Sequence, residues 1–204
     1  MENLQQNIKW PENVIIADAD YIDSVAFNLS VNFERMLERR IGKADLARWI
    51  DCVALDGGLR PGNNNTQVVL VHGKETTALE NFLPANYKTE LDGMAFTDQL
   101  GEFCMAALNV ESMVQHDDFL LDIIGTVCQQ RDVRRIMIIP NAEEGTLYND
   151  ICETLRRLDA QIDDKRITLF TMEPLRGGNF RQELLGYSLM NALGIRGDEF
   201  AQKN

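Results

Sequence analysis

Four short runs of almost unbroken aliphatic and β-branched residues constrain this chain more than any other feature: VIIA at 14–17, QVVLVH at 67–72, RIMIIP at 135–140 and RITLFTM at 166–172. A strand with one wet face alternates apolar and polar residues, whereas a strand covered on both faces reads as a continuous apolar run. Each run is therefore expected inside a sheet, with other elements packed above and below it. The covering elements are written between the runs. Ile22, Val25, Ala26, Leu29, Phe33, Met36 and Leu37 recur at three-and-four spacing and predict one long amphipathic helix. Leu46, Trp49, Ile50 and Val53 predict a second, with Asp45 as its N-cap. Phe119, Leu120, Ile123, Ile124 and Val127 predict a third, and Leu147, Tyr148, Ile151, Cys152, Leu155 and Leu158 a fourth. Phe180, Leu184, Leu185, Leu189 and Leu193 predict the last, opening after Gly177 and Gly178.

Strand and helix alternate, and a single helix separates the third run from the fourth, which is the pattern of a right-handed parallel βαβ unit. The expected fold is α/β: a three-layer, Rossmann-like sandwich around a mostly parallel central sheet. The segment 90–109, ELDGMAFTDQLGEFCMAALN, fits two templates. Leu100, Phe103, Cys104, Ala107 and Leu108 have helical spacing, while Phe103, Met105 and Ala107 alternate and 98–101 can turn a hairpin. Gly93 and Gly101 each weaken a helix by about 1 kcal/mol relative to Ala, so the hairpin is preferred. It is expected as an insertion over 86–112 in a single domain of 1–204, with an N-terminal extension over 1–13 and a tail over 195–204.

A chain of 204 residues buries about 70% of its unfolded surface and needs no disulfide or metal to fold. Its four cysteines, Cys52, Cys104, Cys128 and Cys152, lie far apart in apolar stretches without a C-x-x-C pair, and there are only two histidines. They read as small hydrophobes in a reducing cytoplasm rather than zinc ligands. The opening MENLQQNIKWPEN lacks the basic and apolar regions of a signal peptide, and no window suits a membrane span. A net charge of −12, from 32 acidic against 20 basic residues, opposes nucleic-acid binding at long range. Local basic groups at Arg131, Arg134 and Arg135, at Arg156 and Arg157, and at Lys165 and Arg166 read as solvated faces.

The sharpest chemical feature is VIIADADYID at 14–23, where Asp18, Asp20 and Asp23 follow the first apolar run. Ligands of open α/β sheets bind outside the carboxyl ends of the strands. If the strand continued, Asp18 and Asp20 would point the same way and could share a hard cation such as Mg2+. The plainer reading is that Asp20 or Asp23 caps the long helix beginning near Ile22. An apolar run followed by D-x-D resembles the first motif of haloacid-dehalogenase-type phosphatases. That resemblance implies Asp18 as nucleophile and Asp20 as acid/base. The same region is similar to NYN/PIN-type nucleases, whose first strand ends in a metal-binding Asp. Ile22 stands where the phosphatase pattern has Thr or Val, His72 where it has Ser or Thr, and Asn141 where both families have an acid. Glu143 and Glu144 are the nearest later acids and complete the candidate metal set, although the first turn of a following helix would also favour them there.

His72, ending the second run, is the candidate partner of Asp18 as orienter or proton carrier. His116, in QHDD, reads as surface. LDGG at 55–58 reads as a helix stop. LRGG at 175–178 follows a strand and precedes a predicted helix, so Arg176, Gly177 and Gly178 could meet an anion there; the plainer reading is a loop breaker with a surface arginine. Two functional readings follow. The favoured one is a non-catalytic module binding a small ligand or a partner protein. The alternative is a Mg2+-dependent phosphoryl-transfer hydrolase, phosphatase-like or nuclease-like, built on Asp18 and Asp20. The overall texture resembles that of single-domain α/β proteins of bacteria.

Overall fold

Six parallel strands and one antiparallel strand form the centre of the protein in a computed structural model, which describes residues 9–111, 113–158 and 162–201. Residues 1–8 of the expected extension and 202–204 of the expected tail lie outside the described residues. In chain order the elements are β1 (Asn13–Asp18), α1 (Ala19–Leu37), β2 (Ala44–Asp45), α2 (Leu46–Asp56), β3 (Asn64–His72), β4 (Phe82–Leu83), a π-helical turn (Tyr87–Leu91), β5 (Ala95–Asp98) and β6 (Gly101–Asn109). There follow α3 (His116–Cys128), β7 (Arg135–Ile139), α4 (Leu147–Arg157), β8 (Arg166–Thr171), β9 (Arg181–Leu184), α5 (Leu185–Ala192) and α6 (Asp198–Ala201).

The main sheet runs β5-β6-β3-β1-β7-β8-β9, and only the β5–β6 pair is antiparallel. All six residues of the central strand β1 are buried. Its alternate side chains feed two cores, as the period of a strand requires. Ile15 and Ala17 join α1, α2 and α5 on one face, while Val14 and Ile16 join α3 and α4 on the other. β1, β3, β7 and β8 each send side chains into both cores, which is why 14–17, 67–72, 135–140 and 166–172 are nearly continuously apolar. Trp49 of α2 is fully buried and meets Phe82 edge to face, with 6.0 Å between centroids.

The structure refines these expectations. A hairpin forms within the expected 86–112, from β5 and β6, and β6 pairs with β3 along nine residues as a member of the main sheet, with β5 closing that edge. Gly101 makes the turn possible. Its φ is +126°, and a Cβ there would stand 2.6 Å from the backbone nitrogen of Asn64. The helix expected from Phe180 onward begins only at Leu185, because 181–184 pair with β8 as β9. The described part of the expected tail is docked on the domain. Ile195 is buried in the first core, and Arg39 pairs with Glu199 at 2.8 Å. All four cysteines are free; Cys128 is buried, with its thiol pushed up to about 12 by burial, whereas Cys104 is exposed on β6 rather than packed. No helix among the described residues is long and apolar enough to cross a membrane.

Candidate functional site

Strand β1 ends on Asp18, and the chain turns at once into α1. Asp18 is the N-cap of that helix, its Oδ1 accepting from the Tyr21 amide at 3.0 Å. The cap expected at Asp20 or Asp23 therefore lies earlier, and α1 starts at Ala19. Since the strand stops at Asp18, the i, i+2 strand geometry that would aim Asp18 and Asp20 together is absent. Asp20 lies in the first helical turn, where the helix dipole favours a carboxylate. Its Oδ2 accepts from the Gly73 amide at 2.7 Å. Asp23 accepts from the Asn81 amide at 2.8 Å and from Asn81 Nδ2 at 2.9 Å. Asp20 and Asp23 are three apart and share a helix face. Together they fasten the connection between β3 and β4 to α1.

Both histidines belong to this end of the sheet. His116, expected at the surface, is the first residue of α3 and half-buried, with Nε2 3.3 Å from Asp18 Oδ2. That contact is close enough for an ion pair but misaligned for a hydrogen bond. Attraction to Asp18, reinforced by Asp20 and Asp117, outweighs burial and raises the His116 pKa. His72 is buried at the end of β3, and its Nδ1 lies 3.0 Å from the Gly73 carbonyl. Its ring stacks on Tyr87 at 3.9 Å, nearly parallel. Tyr87 is buried with its hydroxyl unpartnered, and burial, followed by the charges of Asp20, Asp23 and Asp18, raises its pKa. Asp18 thus meets His116, which the sequence reads as surface, His72 stacks on Tyr87, which the sequence does not single out, and the charge of Asp20 acts on both His116 and Tyr87. The only sequence signal for His116 is its place at the start of a helix; the π-helical turn gave none for Tyr87.

Glu143 performs a different task. Its Oε2 accepts from the Tyr21 hydroxyl at 2.5 Å, and its Oε1 accepts from the Met172 amide at 2.6 Å. It thereby ties α1 to the end of β8, and burial together with Glu143 raises the Tyr21 pKa. Glu143 and Glu144 precede Thr146, the N-cap of α4, so neither lies in the helical turn expected to favour them. Among the described residues no three His, Cys, Asp or Glu side chains are grouped to hold a metal ion, so Asp18, Asp20, Glu143 and Glu144 do not form such a set. The LRGG loop leads into strand β9, which removes the helix N-terminus on which an anion role for Arg176, Gly177 and Gly178 rested. Tyr148 donates instead to the Gly177 carbonyl at 2.8 Å, and Gln182 closes the loop against the backbone of Leu175.

Two clefts open away from the acidic cluster. One, of about 1080 Å3, lies over β3, β6 and α3 and is lined by Trp10, Gln67, Leu108, Leu121 and Thr126. The other, of about 660 Å3, lies at the amino ends of β7, β8 and β9 and is lined by Arg60, Arg135, Arg166, Arg181 and Phe180. No curated protein and no solved structure matches the chain. Residues 7–200 match the model of DUF6621, a family of unknown function, and the chain belongs to that family.

Proposed function

We propose that the domain is a Rossmann-like, three-layer sandwich serving as a non-catalytic module that binds a small ligand or a partner protein. The architectural part is supported by strand order. Counted along the chain, the parallel strands lie third, second, first, fourth, fifth and sixth across the sheet, with helices over both faces. That is the order of doubly wound dinucleotide-binding folds. One observation carries the functional part: every carboxylate of VIIADADYID is held by a backbone amide, Asp18 by Tyr21, Asp20 by Gly73 and Asp23 by Asn81. Asp23 has both oxygens engaged by Asn81, and a nucleophile or cation ligand drawn from Asp18 or Asp20 would have only the oxygen left over from a cap or a loop fastening.

The Mg2+-dependent hydrolase stands as the second reading because of one contact, His116 Nε2 against the second oxygen of Asp18. An imidazole beside a strand-end carboxylate is an arrangement that proton transfer uses. Thermal melts of wild type and Asp18→Asn, with and without millimolar Mg2+ or Mn2+, separate the readings. A cation at 100 times its dissociation constant would stabilise the folded state by about 2.7 kcal/mol. The expected outcome is no metal-dependent shift in either protein and a lower midpoint for the variant. A metal-induced rise that Asp18→Asn abolishes would replace the binding module by the hydrolase.

A further inference from the structure

The cleft at the amino ends of β7, β8 and β9 concentrates positive charge in a chain whose net charge is −12. Five cations line it, Arg60, Arg135, Lys165, Arg166 and Arg181, against one carboxylate, Asp163. Sheet register explains how they meet. Arg135 and Arg166 are directly paired across β7 and β8, and Arg181 pairs with Thr168 two residues farther along β8. Like charges directly opposite on neighbouring strands oppose folding.

Some of these cations have structural employment. Lys165 Nζ donates to the carbonyls of Gln130 and Val133, and Arg181 is ion-paired with Glu183. Arg135 Nη1 donates to the Gly57 carbonyl at the end of α2, as cations near helix C-termini do. The remainder is not accounted for in this way. Arg135 Nε is buried without a partner among the described residues. Burial and the neighbouring charges of Arg166 and Arg60 lower the Arg135 pKa, and Glu12 offsets this only in part. Among the described residues Arg60 donates only to the carbonyl of its neighbour Leu59, and Arg166 is exposed on the rim. Gly57 and Gly58 bring bare backbone up to this wall; a Cβ on Gly58 would stand 3.0 Å from Arg135 Nη1. Phe180, Ile167 and Leu155 supply an apolar side to the same cleft.

We infer that this cleft binds a small molecule carrying two adjacent phosphate groups, held by Arg60, Arg135 and Arg166, with its body against Phe180. Guanidinium groups recognise phosphate by paired hydrogen bonds, and three of them suit a diphosphate better than a lone carboxylate. A volume of about 660 Å3 is that of a small-molecule site. The acidic remainder of the surface repels a long polyanion, which favours a small ligand over a nucleic acid. This inference rests on the domain being a binding module, and it names the ligand class.

Isothermal titration calorimetry on the full chain at low ionic strength tests it, with sodium pyrophosphate and adenosine diphosphate as probes. Both are expected to bind, with affinity falling in high salt. Arg60→Gln and Arg166→Gln should each weaken binding at least fivefold, and the double variant should abolish measurable heat. Arg157→Gln, whose side chain pairs with Glu153 on α4, should leave it unchanged. Tighter binding of adenosine diphosphate identifies a nucleotide-like body; equal binding identifies the diphosphate itself. Silence with both probes, or wild-type affinity in the double variant, overturns the inference. So does RNA binding through the same arginines with pyrophosphate silent. Such failure leaves the metal-independent melts standing, whereas a metal response lost in Asp18→Asn strikes the earlier reading alone.

Discussion

Asp20 and Arg166 stand at opposite ends of the same sheet and meet opposite surroundings. Around Asp20 four carboxylates have assigned places: Asp18 caps α1, Asp20 and Asp23 hold the connection after β3, and Glu143 joins Tyr21 to Met172. Around Arg166 the like charge of Arg135 lies directly across the strands, and an open cleft lies in front. The carboxyl end, where α/β sheets usually bind ligands, is here knitted together by its own side chains. The amino end keeps charge in reserve. The difference shows that the carboxylates of a strand-end motif can be taken up by caps and loop fastenings, while sheet register can gather like charges that the fold uses only in part.

The largest effect that separates the two ends is expected from Asp18→Ala. It removes a helix cap and leaves His116 Nε2 half-buried without its counter-charge. The combined loss should be about 2–3 kcal/mol, read by urea unfolding. Asp23→Ala should lose about 1–2 kcal/mol by freeing Asn81. Asp23→Ala should also speed proteolysis within 73–86. If both variants unfold at the wild-type midpoint, the carboxyl end is no more knitted than the amino end, and the comparison collapses.

How much of this was legible beforehand follows from how each element is buried. β1, β3, β7 and β8 could be read because both of their faces are covered. β6 could not be read as a core strand: its burial alternates over 101–105 and fades beyond, since it lies next to the edge with one face open to the large cleft. β9 is four residues long and mostly polar, and its Leu184 continues the apolar period of α5, so it was absorbed into the helix. The sequence places the cap of α1 at Asp20 or Asp23, and the structure places it at Asp18. Local rules allow any Asp near a helix start to be the N-cap, and only the structure assigns it to Asp18. His116 and Tyr87 reach the cluster through long-range contacts that no local spacing encodes. Nor does local spacing show that Arg135 lies opposite Arg166, since sheet register alone brings these two basic groups together.

A subtler difference between the ends is pH dependence. The folded-state pKa of His116 is raised, chiefly by Asp18. A raised pKa means the folded state holds the proton more tightly, so this contribution is full below the unfolded value of about 6.5. It is lost as pH rises through the folded pKa. The midpoint of wild type minus that of His116→Gln should therefore be largest in mildly acidic buffer and shrink toward alkaline pH. Taking the difference removes the titration of every group common to both proteins. A difference that stays flat across this range would show that the 3.3 Å contact with Asp18 carries no charge.

The smallest effect is the most telling for the amino end. Arg166 is exposed, faces Arg135 across the strands, and contributes its charge to the repulsion that lowers the Arg135 pKa. Replacing it by Gln keeps much of its length and its hydrogen-bonding capacity while deleting the charge. Exposed substitutions of this kind shift stability by about 0.5 kcal/mol or less, and relief of a like-charge pair sets the sign here as stabilising. Arg166→Gln should accordingly melt at or slightly above the wild-type midpoint without ligand, and the gain should fade in high salt as screening removes the repulsion. A destabilisation beyond about 1 kcal/mol would mean that Arg166 is as firmly built into the fold as Asp23. An unaffected or improved melt would mean that the fold tolerates this arginine rather than needing it, which is the condition a residue held for a ligand must meet.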